Sequence, residues 1–183
     1  METRILLAFH EHAGPWLDVL FGLSHTLGSK TCFTVLVLSA AFVHALSGQR
    51  REALAWIGIG VATVGSIEAI KGLVARPRPE LWPRLVTQGG SSFPSGHAVA
   101  AAAFYPLLAW VLTRNRPRLL PAALFLAAAL VFLVSAGRLY LGLHWPTDVL
   151  GGWAIGATES TAAIKWLGRR RPGHVPRDER AHA

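Results

Sequence analysis

The chain has 183 residues, 52% of them hydrophobic and only 15% charged, with 18 Lys and Arg against 10 Asp and Glu for a formal net charge of +8. That balance is of a one-domain membrane protein rather than a soluble one, and with no basic face interleaved with aromatics nucleic acid is excluded as a partner. The single cysteine, Cys32, excludes an intrachain disulfide and a thiolate metal cluster.

In chain order, "METRILLAFHEH" has an apolar core too short for a secretory signal and no small-residue cleavage site, so it is read as inserted uncleaved. "GPWLDVLFGLSHTLGS" follows, with Trp16, Leu20, Leu23 and Leu27 at helical spacing and Asp18, Ser24 and His25 off that stripe. It reads as a helix in the membrane interface, as a short extra membrane element, or as a peripheral helix of a bundle. Five apolar segments then approach the roughly 20 residues a helix needs to cross about 30 Å of hydrocarbon: 31–47, 54–74, 97–113, 118–138 and 148–167. Backbone groups in lipid must be satisfied internally, so these are expected to be helices. The fold class is therefore an all-α membrane protein, a transmembrane bundle of about five spans plus an N-terminal interfacial helix. It divides into an interfacial region at 1–30, a core at 31–167 and a basic tail at 168–183.

The basic loops "SGQRRE" and "RNRPR" and the tail "GRRRP" fall on one side by counting spans. The positive-inside rule makes that side cytoplasmic. The opposite, outward side receives three polar clusters. In "KGLVARPRP", Lys71 ends a span, Arg76 and Arg78 lie just beyond it, and two prolines stop the helix. These cations are either snorkelling anchors or anion ligands. In "FPSGHAV", Ser95 is placed to cap a helix whose N-terminus offers N–H groups and a positive dipole end to an anion, with His97 in the first turn. In "GRLYLGLHWPTDVLGG", Arg138 precedes His144 and Asp148, four residues apart. A carboxylate bonded to one ring nitrogen would fix the imidazole tautomer and raise the basicity of the other, which makes a nucleophile. His97, His144 and Asp148 are also ligand types for zinc, but Lys71, Arg78 and Arg138 would repel a divalent cation and suit a phosphate. No metal and no cofactor is assigned.

Lys71, six residues, Arg78-Pro79; Pro94-Ser95-Gly96-His97; and Arg138, five residues, His144, three residues, Asp148 together resemble the three-part signature of the type-2 phosphatidic acid phosphatases, lipid phosphate phosphatases related to vanadium haloperoxidases. The resemblance spans roughly residues 15–167. It implies an enzyme that hydrolyses membrane lipid phosphates or pyrophosphates without a metal. Within it His144 forms a phosphohistidine, Asp148 orients His144, and His97 protonates the leaving oxygen. Lys71, Arg78, Ser95, Gly96 and Arg138 hold the phosphoryl oxygens. The implied partners are the bilayer and a lipid such as undecaprenyl pyrophosphate, phosphatidylglycerol phosphate or phosphatidic acid. The implied place is a bacterial cytoplasmic membrane, site facing outward. A lipid phosphotransferase using the same intermediate and a catalytically silent scaffold are the alternatives.

The chain departs from the family pattern at Gly137, where serine usually precedes the arginine, with Ser135 two places earlier, which puts one phosphate contact in doubt; the interfacial segment is expected to come first, without the additional leading helix of many bacterial members. Glu68 is expected to pair with Lys71 or merely to neutralise it. Glu159, in the last span, is expected to make a bundle-facing hydrogen bond. Trp82 and Arg84 lie in a loop that reads as a lid or as an interfacial anchor.

Overall fold

The computed structural model describes residues 1–83 and 88–169, and among these there are helices but no strands. The helices are α1 (Glu2–Glu11), α2 (Pro15–Leu27), α3 (Lys30–Leu46), α4 (Arg50–Val74), α5 (Gly96–Thr113), α6 (Leu120–Tyr140, entered through a 3-10 turn at Pro117–Leu119) and α7 (Pro146–Gly168). Arg84 and most of the basic tail lie outside the described residues.

Among the described residues three segments are long and apolar enough to cross a membrane, α4, α5 and Pro117–Tyr140; a fourth is counted if α2 and α3, bent by 50° at their junction, cross as one broken span. The five-span count is looser than this, because α3 is 17 residues long and α7 carries Glu159 and Lys165. The outer surface is that of a protein in lipid: Val35, Leu38, Phe42, Val61, Leu73, Phe125 and Phe132 are all exposed. The stripe on α2 follows the same logic. Trp16, Leu23 and Leu27 face outward, while Ser24 is buried and Asp18 accepts a 2.6 Å hydrogen bond from the Tyr140 hydroxyl.

Helix α5 is the axis of the bundle. Its alanine run, Ala98 to Ala103, is buried almost completely, because small side chains let neighbouring backbones approach. Gly152 and Gly156 of α7 face this run. A Cβ on Gly156 would lie 2.4 Å from the Val99 carbonyl oxygen and 2.8 Å from the Ala102 Cβ. Gly156→Ala is therefore expected to push α7 off α5 at a cost of about 1–3 kcal/mol. The check is the thermal midpoint in detergent, and an unchanged midpoint would contradict this packing. Phe33, Val37, Trp56, Ile59, Phe104 and Leu107 form the other side of the core.

Several polar side chains tie the helices of the bundle together. Glu159 accepts from Thr63 at 2.6 Å and from Ser66 at 2.8 Å, tying α7 to α4 by the bundle-facing bond expected of it. Glu68 pairs with Lys30 of α3 at 3.1 Å rather than with Lys71. At one end Arg51 donates to the carbonyls of Trp166 and Arg169, and Arg114 pairs with Glu52, which gathers the three basic loops together. The three polar clusters meet at the other end.

Candidate active site

Helix α4 stops at Ala75, which adopts the left-handed conformation (φ 46°) with its N–H bonded to the Lys71 carbonyl. Pro77 and Pro79 then hold the chain extended, and Arg78 turns inward. Its guanidinium donates to the carbonyls of Gly89, Gly90, Ser91 and Leu143 at 2.8–3.2 Å. The same Nη1 approaches His144 Nε2 at 3.2 Å. Arg78 thus locks the loop ahead of α5 to the loop ahead of α7.

Those contacts define the His144 tautomer. Guanidinium has no acceptor, so Nε2 facing it carries the lone pair, and Nδ1 carries the hydrogen. Nδ1 lies 2.8 Å from the Ser92 carbonyl, which accepts it, and 3.6 Å from Asp148 Oδ2. The spacing of four placed Asp148 as the direct bonding partner of the ring. With α7 starting at Pro146, His144 lies just ahead of the helix, and the turn between them sets the carboxylate at the longer of these two distances. Asp148 instead accepts from the Trp145 N–H at 2.8 Å, from the Ser92 hydroxyl and from Arg76 Nη1 at 2.6 Å. It acts on the ring as a nearby charge and through Ser92. Burial holds His144 down to about 4 against the Asp148 carboxylate, with the Arg78 and Lys71 charges adding to the effect. At neutral pH the ring is therefore neutral, with an Nε2 lone pair.

On the opposite wall, His97 stacks on His25 of α2, ring centroids 5.2 Å apart, and its Nε2 donates to the His25 carbonyl at 3.2 Å. Its Nδ1 is left to exchange a proton. The close approach requires Gly28, where a Cβ would lie 2.7 Å from the His97 ring. Arg138, fully buried in the last turn of α6, donates from Nη1 to His25 Nδ1 at 2.6 Å. Its Nε and Nη2, and the Ser95 hydroxyl, are buried without a hydrogen-bond partner. Ser95 is the N-cap of α5 as expected, yet its side chain makes no capping bond, and its N–H is spent on the Asp148 carbonyl. Three donors in a protein interior without partners are costly unless a ligand meets them.

Lys71, Gly96 and His97 line the polar end of a cavity of about 330 Å³ between α3, α4 and α5, whose other wall includes Phe33, Val64 and Ala100. Ser135 takes no part, since its hydroxyl accepts from Trp153 at 2.8 Å. At Gly137 an added Cβ would lie 2.3 Å from the Ser24 Oγ, so the departure from the family pattern lets α2 pack closely on α6. Trp82 stacks on His10 of α1 at 4.3 Å and packs against Gly142. Among the described residues no cluster of three His, Cys, Asp or Glu is placed to hold a metal ion.

Lys71, Arg78, Ser95, Gly96, His97, Arg138, His144 and Asp148 thus converge at one end of the bundle. Arg76 appeared in sequence as one more boundary cation. His25, Ser92 and Glu2 drew no assignment, although the polar face of α2 opposite its lipid stripe pointed to His25.

The PAP2 superfamily model matches residues 53–172, which contain all three clusters. The chain belongs to the PAP2 superfamily. As a PAP2 enzyme it is a membrane-integral phosphatase that hydrolyses phosphate ester bonds. Phosphatidylglycerophosphatase B of Bacillus subtilis (strain 168) is 32% identical over 151 residues, 78% of this chain and 71% of that protein. Decaprenylphosphoryl-5-phosphoribose phosphatase of Mycobacterium tuberculosis (strain ATCC 25618 / H37Rv) is 36% identical over 143 residues, covering 75% and 72%. The crystal structure of a transmembrane PAP2 type phosphatidylglycerolphosphate phosphatase from Bacillus subtilis aligns with a TM-score of 0.82 at 27% identity, covering 93% of this chain and 87% of that one. His25, Gly28 and Glu2 lie outside the stretch that the PAP2 model matches.

Proposed function

We propose that this PAP2 phosphatase removes the terminal phosphate of a membrane lipid at the outer face of a bacterial cytoplasmic membrane, through a phosphohistidine on His144. The observation that carries the reading is the set of buried, unpartnered donors on Arg138 and Ser95, at the same end of the bundle as the neutral His144 and the cavity lined by Lys71, Gly96 and His97. Phosphoryl transfer needs positioning and neutralisation of the equatorial oxygens, and side-chain cations supply both. Arg138, Ser95, Lys71, the Gly96 N–H and Arg78 hold those oxygens. The His144 Nε2 lone pair attacks phosphorus, the bond to the lipid oxygen breaks, and that oxygen takes the Nδ1 proton of His97, which enters the step as the imidazolium. Water then attacks the phosphohistidine, giving His97 a proton and returning His144 neutral with free phosphate.

The cleft between α3 and α4 admits the lipid tail from the bilayer while the phosphate stays at the polar end. Both curated relatives are named for lipid-borne phosphates, one of a glycerophospholipid and one of a decaprenyl lipid. The test is a phosphate-release panel in detergent with EDTA, using prenyl pyrophosphate, phosphatidylglycerol phosphate and phosphatidic acid. Release in EDTA without any acceptor lipid is expected for at least one substrate. Loss of all activity in EDTA would overturn the metal-free mechanism, and release only with an acceptor would make the enzyme a phosphotransferase.

A further inference from the structure

The carboxylate of Asp148 does not stand alone behind His144. Arg76 spans two acids: its Nη1 donates to Asp148 Oδ1 at 2.6 Å and its Nη2 to Glu2 Oε2 at 2.8 Å. Glu2 belongs to α1, and its other oxygen accepts from the Thr147 N–H at 3.0 Å and the Thr147 hydroxyl at 2.7 Å. Thr147 lies in the first turn of α7, so the carboxylate also caps the helix that carries Asp148. The Thr147 hydroxyl in turn accepts from Arg76 Nη1 at 2.6 Å, closing a ring of Glu2, Arg76 and Thr147. Burial pulls the Glu2 carboxyl up, but the Thr147 donors and Arg76 outweigh it and hold it below its usual range. At its far end α1 is pinned by the stacking of His10 on Trp82.

We infer that Glu2 and Arg76 are positioning residues for the nucleophile, with α1 acting as an outer strap whose carboxylate keeps Arg76 on Asp148. This rests on His144 being the nucleophile. The physical need is clear from the geometry. Asp148 reaches the His144 ring only through Ser92 and at 3.6 Å, so its setting depends on what fixes its two oxygens. Arg76 fixes one of them. A guanidinium beside a phosphate site is itself a bidentate phosphate ligand unless something else occupies it. Glu2 occupies its second edge and keeps it out of that role.

The test uses the full chain in detergent with a substrate hydrolysed by the wild type. Arg76→Gln is expected to lower kcat about 100-fold and Glu2→Gln about 10-fold, both with KM within about twofold of wild type, as for groups acting on the reacting histidine rather than on substrate binding. The double variant is expected to be no slower than Arg76→Gln, because Glu2 acts through Arg76. His144 is faced by Lys71 from α4, by Arg78 from the loop after it, by His97 from α5 and by Asp148 from α7, which Arg76 neutralises. Removing the Arg76 cation favours the imidazolium, so the acid limb of kcat/KM should move to higher pH in Arg76→Gln. A purely structural role would not produce that movement. Additive losses in the double variant, an unmoved acid limb, or a kcat within twofold of wild type in both single variants would each overturn the inference. A thermal midpoint taken alongside separates these outcomes from unfolding. If the wild type forms no phosphohistidine, the underlying reading fails. If it does, and His144→Ala is inactive while both single variants keep wild-type kcat, only this inference fails.

Discussion

Replacing His144 with alanine should lower phosphate release by about 10⁴-fold or more, the scale seen when a nucleophile is deleted from an otherwise intact site. The variant should still bind a lipid phosphate, because Arg138, Ser95 and Lys71 are untouched. The same side chain sets a pH signature. With its folded value held near 4, His144 keeps its Nε2 lone pair at every pH above that, and loses it only as pH falls through about 4. The acid limb of kcat/KM, which reports groups on the free enzyme and free substrate, is therefore expected near 4 rather than near 6.5, the value of an unperturbed histidine. The substrate phosphate ionises near 6 and adds a limb of its own. Two substrates whose phosphates differ in acidity separate the cases, since the substrate limb moves between them and the His144 limb does not. A limb fixed near 6.5 for both would mean that His144 titrates as an exposed histidine, against the buried setting between Arg78 and Ser92.

The helices were legible because apolarity over the thickness of a bilayer is a local property. The segments read at 54–74 and 118–138 are α4 (Arg50–Val74) and α6 (Leu120–Tyr140) within four residues at each end. The site residues were legible for a different reason. Lys71, Arg78, His97, Arg138, His144 and Asp148 stand in short polar loops or at helix ends, and their joint pattern, resembling a family signature, set them apart from ordinary boundary cations. What stayed hidden depends on contacts far apart in sequence. Ser92 was one serine in "GGSSFPSGH", and only the fold shows that its carbonyl and hydroxyl link His144 to Asp148. His25 required knowing which face of α2 turns inward, and in lipid that is the polar face, the reverse of a soluble helix. Glu2 lies 74 residues from Arg76 and 145 from Thr147, and no local pattern relates them. The Gly137 departure put one phosphate contact in doubt. In the structure it is a packing adjustment that admits Ser24 of α2.

Arg138→Met is expected to separate function from stability. The guanidinium is fully buried, with one bond to His25 and two nitrogens unpartnered. A buried charge left short of partners costs several kcal/mol, and replacing such a group with an apolar side chain of similar volume is often neutral or stabilising. Methionine fills irregular space without a donor to satisfy. The variant should therefore keep or raise its thermal midpoint in phosphate-free detergent, while kcat/KM falls about 10³-fold through loss of the guanidinium proposed to meet the transferring phosphoryl group. Inorganic phosphate should raise the wild-type midpoint, since a ligand bound only by the folded state stabilises it by RT ln(1 + [L]/Kd), and should leave that of the variant nearly unmoved. Arg138→Lys should fall between the two in activity, because it keeps the charge but not the planar fork. A midpoint that drops in Arg138→Met in step with activity would mean that the arginine serves the bundle itself. A midpoint that holds while activity collapses would mean that its cost in the folded protein is offset only when phosphate arrives, as expected of a site built for an anion in an apolar protein.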